Sequence, residues 1–430
     1  MKVSFEKVLN FVDVYFISLG FMIGAGIYSL LNIVTKYSGK YAWLSFLIGG
    51  FISLMTAFSY YDLSKIYNTN ATEYEYFTDI LGDKFKYFYI FLLVMFFLLT
   101  ASVILIIFGN ISLLAFGKEK LVGKFNYLQF IIQLIAISSA IILNIIDIKL
   151  VSDLNFYITC LETGFLLLLI ICAFYWNIFI FSKKKVNSIQ LENNNNSLSL
   201  QGIMYGAFIS ILAFTGFETI PKLTEETIDS ENTIPNAIKY SVITVIIIYS
   251  LVSISVNSVL GISNVVKYQN PISKFFEYLF GKQFVNILNL VSLLSVFSTI
   301  LLNNTFISRA IQSISAKGDL IDELNNINEK YKTPINAIIF SGIIVLLFSS
   351  TTNVELNLYM TNILTFIIFI LVNICCILAP KDKQNDKQKA KNDEEIKNNE
   401  TKNSIGFFYK DYSYIGLMSS ILMLCHSFNN

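Results

Sequence analysis

Eleven long apolar segments fill most of this chain, and they restrict its fold more than any other feature. Hydrophobic residues make up 54% of the 430 residues, charged residues 14%, and the mean hydropathy is +0.60, which excludes an ordinary soluble protein. About 20 consecutive apolar residues cross a bilayer as a helix. The sequence therefore predicts a polytopic α-helical membrane protein with spans at 11–33, 42–64, 87–114, 126–146, 154–181, 203–220, 237–261, 284–308, 335–350, 357–379 and 412–428.

Two glycine-marked motifs interrupt these spans, GFMIGAGIY at Gly20–Tyr28 and AFTGFETIP from Ala213 onward. Each begins a run of five apolar segments. Glycine lets a backbone leave helical geometry and approach a ligand, and amides freed at membrane depth must face protein, water or a solute. The matching positions predict a solute site between two repeats. The alternative is that both motifs are close-packing positions of the small-xxx-small type.

Charge and reactive side chains exclude several classes of function. The formal net charge of +1 gives no reason to expect a nucleic-acid or acidic partner. The single histidine, His426, and the five cysteines show no spacing typical of a metal site or a disulfide framework. The phosphate-binding pattern GxxxxGK[ST] does not occur in the sequence. We therefore expect neither a metal, nor a cofactor, nor an enzymatic activity.

Two polar stretches separate the apolar regions. LENNNNSLSLQG at 191–202 is predicted to be a flexible surface loop, and the charged stretch at 381–404 a disordered linker. Because cytoplasmic loops are rich in lysine and arginine, the lysine distribution weakly favours a cytoplasmic amino terminus. We expect the membrane to be the plasma membrane. Eleven spans then place 381–404 in the cytoplasm and Asn430 outside. The alternative for the short last span is a helix in the membrane interface.

Four stretches resemble one family of membrane proteins. They are SLGFMIGAGIY in the first span, FSYYDLSKIYNTNATEYEYFTDILG after the second, AFTGFETIPKLTEETIDSENTIPNAI in the sixth and NNTFISRAIQSISAKGDLIDELNNINEKYKTPINAI in the eighth. The sixth-span stretch is very close to the family pattern, and Arg309, the only arginine, falls on the eighth-span pattern. From about residue 11 to residue 379, the chain resembles the amino acid/polyamine/organocation (APC) superfamily of permeases.

The resemblance implies an all-α integral membrane protein of the APC/neurotransmitter-sodium-symporter type, with about eleven transmembrane helices. In this fold two inverted repeats of five helices pack together, and their first helices, the first and sixth of the chain, are unwound at the membrane centre. The repeats would be 11–181 and 203–379, joined by 182–202. A charged loop at 380–411 and a short eleventh helix at 412–430 would follow.

The same resemblance implies a solute site at the two breaks. Backbone amides of the first break would hold the solute's carboxylate at the positive end of a half-helix, and carbonyls of the sixth helix would face its ammonium group. The substrate-binding positions carried over are Ile23, Gly24, Ala25, Gly26, Ala213, Phe214, Thr215, Gly216 and Phe217. Phe214 and Phe217 are candidate walls or gates, although simple packing is the commoner role of an aromatic ring in a membrane helix.

Two acids lie inside predicted spans. A charge at the bilayer centre costs roughly 2.5 to 3.5 kcal/mol on insertion scales, so such a group is usually neutralised, paired or functional. Glu162 stands where many family members carry a lysine. Glu162 is predicted to change protonation, hold a cation or pair with a cationic solute. The alternative is that its side chain points into a hydrated crevice near the cytoplasmic end and has no specific role. Glu218 is predicted to link solute occupancy to helix movement. The sequence shows no obvious buried lysine or arginine to offset these acids.

The remaining polar residues leave alternatives open. Asn303 and Asn304 make the eighth helix unusually polar, and they either line the pathway or bond to neighbouring helices. Glu225 and Glu226 are placed in a cytoplasmic loop, where water can solvate them. At 70–72, Asn-Ala-Thr replaces the proline and paired glycines usual in the family, so the helix that follows is expected to be placed differently.

These features predict a secondary transporter that moves an amino acid or related amine by alternating access, as a proton symporter or an exchanger. Because the two acids leave the core negative, cationic or neutral amino acids are favoured over acidic ones. The alternative is a transport-inactive relative that acts as a nutrient sensor or a partner-binding membrane subunit. The absence of clustered histidine, cysteine or serine-based constellations disfavours a membrane enzyme.

Overall fold

The computed structural model describes residues 4–116, 118, 126–181, 199–268, 270–351, 354–379 and 409–428. Residues 182–198 of the predicted linker at 182–202, the charged stretch at 381–404 and Asn430 lie outside the described residues. Residues 200–202, predicted as part of a flexible loop, instead form the first turn of α7. The helices are, in chain order, α1 Phe11–Ser38, α2 Ala42–Ile66, α3 Glu73–Tyr76, α4 Lys86–Ala115, α5 Tyr127–Ile146, α6 Ile148–Tyr175, α7 Leu200–Phe214, α8 Ser230–Leu260, α9 Ile262–Lys267, α10 Pro271–Phe280, α11 Lys282–Ala316, α12 Ile335–Thr351, α13 Val354–Leu378 and α14 Tyr409–Phe428.

The predicted spans coincide with these helices. Within the described residues, nine helical stretches are long and apolar enough to cross a membrane, and they match the first eight predicted spans and the tenth. The ninth span corresponds to a shorter apolar helix, Ile335–Ser350. The last span is helical as α14. The chain is therefore an integral, multi-pass membrane protein, while the passage of α14 across the bilayer stays a prediction.

The helices pack in two groups that each draw on both halves of the chain. One group contains α1, α2, α7 and α8, and a second contains α4, α5, α11 and α12. Each group thus takes two helices from the first half of the chain and the corresponding two from the second half. The fifth helix of each half joins the groups, since α6 packs on α1, α8 and α11, and α13 packs on α2 and α4.

The residues before α1 attach its start to the end of the sixth span. Asn10 caps α1, because its side chain accepts the backbone N–H groups of Val12 and Asp13 while the Asp13 carboxylate accepts the Asn10 N–H. The Leu9 N–H donates to the Glu226 carbonyl over 3.0 Å, and the Ile228 N–H donates to the Leu9 carbonyl over 2.8 Å. The beginning of the first helix and the end of the sixth are therefore held together by backbone hydrogen bonds.

Candidate functional site

The break in the sixth helix is present where the sequence predicted it. Helix α7 ends at Phe214, and the chain continues as a 3-10 helix over Phe217–Glu226, called here the 217–226 half-helix. Thr215 is extended, and Gly216 has a φ of +134°, which residues with a Cβ rarely adopt. A Cβ on Gly216 would also lie 2.6 Å from the Phe21 ring. Gly216 is therefore needed both for its conformation and for space.

The predicted break in the first helix is wrong for this structure, because α1 is continuous from Phe11 to Ser38. Its glycines serve close packing instead, which was the alternative explanation. A Cβ on Gly20 would lie 2.3 Å from Thr159 Oγ1, and one on Gly24 would lie 2.3 Å from Thr299 Oγ1. Because the helix is continuous at Ile23–Gly26, the backbone amides there bond within the helix and are not free to bind an anion in this conformation. The side chain of Ala25 lies outside the described residues.

Gly26 brings α1 against the end of α7. A Cβ there would lie 3.1 Å from both the Cα and the carbonyl oxygen of Ala213. The buried Tyr249 of α8 joins the two helices, because its hydroxyl donates to the Met22 carbonyl over 2.8 Å and lies 3.3 Å from the Ala213 carbonyl. The sequence analysis missed Tyr249, which carries no motif and lies in an otherwise apolar span.

Glu162 of α6 is connected to the same α1 segment through Ser295. Its side chain is buried, and Ser295 Oγ donates to its Oε1 over 2.7 Å. Ser295 Oγ also lies 3.1 Å from the Gly24 carbonyl. The phenol groups of Tyr28 and Tyr249 are close enough to interact electrostatically with Glu162. Glu162 is thus linked to the first helix through Ser295, and no lysine or arginine of the described residues forms an ion pair with it. Its predicted role in coupling stays a prediction.

These groups form one buried cluster, called here the central cluster. It contains the carbonyls of Met22, Gly24 and Ala213, the Glu162 carboxylate, and the hydroxyls of Tyr249 and Ser295. Each hydroxyl supplies one proton to two acceptors that lie within reach. The Tyr28 hydroxyl, also buried, has no hydrogen-bond partner among the described residues. The six groups of the cluster thus comprise four acceptors and two hydroxyl donors, and Tyr28 contributes a further hydroxyl.

Phe214 and Phe217 flank the break and are completely buried. The Phe214 ring lies 5.3 Å from that of Tyr249, and the Phe217 ring lies 5.8 Å from that of Tyr60. Phe214 thus contacts a residue of the central cluster, whereas Phe217 packs against α2 and α13. Their role as gates stays a prediction.

Glu218 lies in the first turn of the half-helix that begins after the break. Its Oε2 accepts the Gly216 N–H over 2.7 Å, so the amide of the residue before the half-helix is satisfied by a side chain two residues further along. Glu218 is buried, and its carboxylate forms no ion pair within the described part of the chain. Because Glu218 lies on the half-helix and its carboxylate is bonded to Gly216, a movement of the half-helix relative to the break would strain or break this hydrogen bond.

A buried ion pair that the sequence analysis missed lies one turn further along. Lys222 Nζ is 2.8 Å from both carboxylate oxygens of Glu73 and 3.1 Å from the Glu218 carbonyl. The side chains of Lys222 and Glu73 are 1% and 2% exposed, and Tyr60 donates its hydroxyl to Glu73. The expectation that the core holds no buried lysine or arginine is thus wrong, although Lys222 pairs with Glu73 and not with Glu162 or Glu218. Lys222 was placed in a loop, and only its tertiary partner reveals its burial.

Arg309 and Glu226 form a second buried pair. Arg309 Nε and Nη2 donate to the two oxygens of Glu226 over 3.1 and 3.0 Å, and both side chains are at most 1% exposed. The expected solvation of Glu226 is therefore wrong, because α11 covers the end of the half-helix. Glu225 bonds reciprocally with Asn70, whose side chain accepts the Glu225 N–H while its own N–H donates to the Glu225 carboxylate.

The charges around the half-helix do not balance. Among the described residues, the buried acids are Asp13, Glu73, Glu162, Glu218 and Glu226, and the buried cations are Lys222 and Arg309. Asp13 pairs with the partly exposed Lys149, and the two buried ion pairs use Glu73 and Glu226, which leaves Glu162 and Glu218 without an ion-pair partner. The two acids of the sequence argument thus form no ion pair within the described residues, while the burial of the other four groups was not expected.

Asn303 and Asn304 are buried on α11. Asn304 Oδ1 accepts a hydrogen bond from Ser341 of α12 over 2.7 Å, which is the helix-bonding alternative. Its Nδ2, and the Oδ1 of Asn303, have no partner among the described residues. No recorded hydrogen bond connects either side chain to the central cluster, so their role in the pathway stays a prediction.

Comparisons with known proteins agree on one family. Residues 9–428 match the family model described as amino acid permease. The chain is 22% identical to the chloroplastic cationic amino acid transporter 7 of Arabidopsis thaliana over 85% of its length, and it spans 64% of that relative. It is also 22% identical to the branched-chain amino acid permease BcaP of Bacillus subtilis (strain 168), covering 90% of this chain and 83% of the relative.

A solved structure supports the fold. The chain is similar to Mhp1, a nucleobase-cation-symport-1 family transporter, in a closed conformation with bromovinylhydantoin bound. The TM-score is 0.56 with 13% sequence identity, and the alignment covers 100% of this chain and 94% of Mhp1. At this identity the likeness concerns the fold alone.

Proposed function

Since the chain belongs to the amino acid permease family, we propose that it is a secondary transporter of amino acids or related amines that works by alternating access. The observation that carries the proposal is the central cluster, which lies where α1 meets the break in the sixth helix. A buried cluster with more acceptors than donors and an unpaired carboxylate is complementary to an ammonium group.

The solute's ammonium group binds, in this proposal, between the Gly24 and Ala213 carbonyls. The Tyr249 and Ser295 hydroxyls lie 3.3 Å and 3.1 Å from these carbonyls but have shorter bonds to Met22 and Glu162, so both carbonyls can accept the protons of an ammonium group. Glu162 lies within hydrogen-bond reach of Ser295 and supplies the negative charge. The three candidate positions Ala213, Gly24 and Glu162 thus act together.

The solute's carboxylate requires a different conformation of α1. We place it on the amides of Gly24–Gly26 after the helix opens there. Each glycine makes a helix interior about 1 kcal/mol less stable than alanine would, so two glycines in three residues lower the cost of opening. The break at Thr215–Gly216 in the sixth helix is already open.

The substrate class follows from the charge imbalance. Glu162 and Glu218 leave two carboxylates without a cation, so a cationic solute, or a neutral solute with a proton, would neutralise the core better than an acidic one. The names of the two relatives, a cationic amino acid transporter and a branched-chain amino acid permease, support this choice. Proton symport or exchange would then make uptake depend on external pH.

Glu218 couples the solute to helix movement in this proposal. It is attached to Gly216 at the break, and Lys222 on the same half-helix holds Glu73. The half-helix is also bonded to the residues before α1. These elements would move as one body when the pathway opens. In the same proposal the protein lies in the plasma membrane with its amino terminus in the cytoplasm. The two repeats are residues 11–181 and 203–379.

Uptake by the purified full chain in liposomes tests the proposal. Radiolabelled arginine, leucine and glutamate are compared in the parent, in Gly216→Val and in Gly164→Val. The matched control is Gly164, because a Cβ there meets no atom within 4 Å. We expect saturable uptake of arginine or leucine by the parent and the control, and none by Gly216→Val at equal expression. If Gly216→Val takes up the solute as well as the parent protein does, the solute does not bind at the break and the proposal is wrong.

A further inference from the structure

A second cavity lies away from the central cluster, between α4, α11, α12 and the 217–226 half-helix. Its volume is about 310 Å³, at the lower end of the range of roughly 300 to 1,000 Å³ found for ligand pockets. Its walls are apolar almost throughout, with Val94 and Phe97 on α4, Ala310 and Ile314 on α11, and Ile344 on α12. This composition does not suit an amino acid, whose two charged groups need polar partners.

Several residues that line the cavity are exposed, both on apolar helices and, as with Ile321, in the loop after α11. Tyr87 and Phe91 line it from α4 and are 69% and 61% exposed, and Phe340 of α12 is 36% exposed. Phe91 lies in a stretch apolar enough to span a membrane, and Phe340 lies in the shorter apolar helix beside it. Part of the exposed lining therefore lies on apolar helices, which contact lipid in a bilayer.

Water fills such a space poorly. Each water occupies about 30 Å³ in the liquid and needs two to four polar partners to be held in a cavity. The polar groups on the wall are few, and the main two, Lys222 and Glu73, already satisfy each other. A hydrocarbon chain that enters from the bilayer can form van der Waals contacts with the apolar walls and needs no hydrogen bonds.

We propose that this cavity binds one acyl chain of a bilayer phospholipid. Its inner wall carries both partners of the Lys222–Glu73 ion pair, and the Lys222 Nζ lies 5.0 Å from the centre of the Phe97 ring. A bound chain contacts both partners and keeps water away from them. The site therefore connects the lipid environment to the half-helix that moves in transport.

Photolabelling of the purified full chain in nanodiscs tests this site. One probe is a phosphatidylcholine with a diazirine near the end of one acyl chain, and a second is a free fatty acid with the same diazirine. Labelled residues are identified by mass spectrometry after digestion. We expect the phospholipid probe to label residues 90–98 and 307–314, and Ala310→Phe, which fills the cavity, to reduce this labelling at least fivefold.

Two further variants keep the test decisive. Val94→Phe fills the cavity from the opposite wall and should give the same loss, which covers failure of Ala310→Phe to fold. Ile171→Phe is the matched control, because Ile171 is 64% exposed on α6, away from the cavity, and its labelling pattern should equal that of the parent. Equal labelling of every exposed helix, or labelling at the cavity walls that both filling variants retain, would overturn the proposal. So would labelling by the fatty acid probe alone.

Discussion

Replacing Lys222 with methionine should destabilise the protein far more than removing a lysine from an exposed ion pair. Lys222 and Glu73 are 1% and 2% exposed, and Lys222 Nζ bonds to both Glu73 oxygens. Methionine keeps most of the side-chain length but removes the charge. The Glu73 carboxylate then stays buried with hydroxyl donors such as that of Tyr60 and no cation.

The expected magnitude follows from burial. Removing one partner of a buried ion pair typically costs about 3 to 5 kcal/mol, because an uncompensated charge remains. The matched control is Lys274→Met, since Lys274 and Glu277 form a pair whose side chains are 32% and 26% exposed. A pair this exposed contributes little to stability, because water screens it and both long side chains lose conformational freedom. The two variants should therefore differ several-fold in their effect on the free energy of unfolding.

Thermal unfolding of the purified proteins in one detergent measures the difference. A double variant, Lys222→Met with Glu73→Gln, separates burial of charge from loss of packing, because it removes both charges and keeps a group that can bond to Tyr60. It should recover most of the stability. The reasoning is refuted if Lys222→Met unfolds at the same temperature as Lys274→Met, or if the double variant is as unstable as the single one.

Three other changes test separate parts of the account. Glu162→Gln should flatten the dependence of uptake on external pH or weaken cationic solutes selectively, because it removes an unpaired carboxylate from the central cluster; an unchanged pH profile and solute preference would make Glu162 structural. Arg309→Lys should lower the unfolding temperature, because lysine cannot form the two parallel hydrogen bonds that Arg309 donates to Glu226. A hydrogen bond to a charged group contributes about 1.5 to 3 kcal/mol. An unfolding temperature equal to that of the parent protein would contradict this expectation. A cysteine tag after Asn430, in a cysteine-free background, should react with an impermeant maleimide in intact cells; reaction only after permeabilisation would place the terminus inside.

The helices were predictable because the membrane imposes a length and an apolar composition on each span. The two glycine motifs show where this reasoning ends. Gly216 is required for a positive φ, whereas Gly24 and Gly26 allow other helices to approach closely. Both roles use the same residue type in an apolar context. Sequence pattern alone therefore located both motifs but did not distinguish an open helix from a close-packed one.

The buried ion pairs were less predictable. Lys222 and Glu226 lie after a proline in a polar stretch, which is typical of a solvated loop, and each is buried only because Glu73 and Arg309 cover it. These partners are 149 and 83 residues away in the chain. The single arginine was a usable signal, since an unusual choice of Arg over Lys favours a two-bond partner. Lys222 offered no such signal.

Competition with solute analogues tests most directly whether the central cluster recognises an ammonium group. Uptake of radiolabelled leucine or arginine, whichever the liposomes accumulate, is measured against the parent amino acid, the amine that lacks its carboxylate, and the acid that lacks its α-amino group. The acceptor-rich geometry around Gly24, Ala213 and Glu162 predicts strongest competition by the parent amino acid, weaker competition by the amine, and none by the acid. Competition by the deaminated acid as strong as that by the parent amino acid would contradict the account.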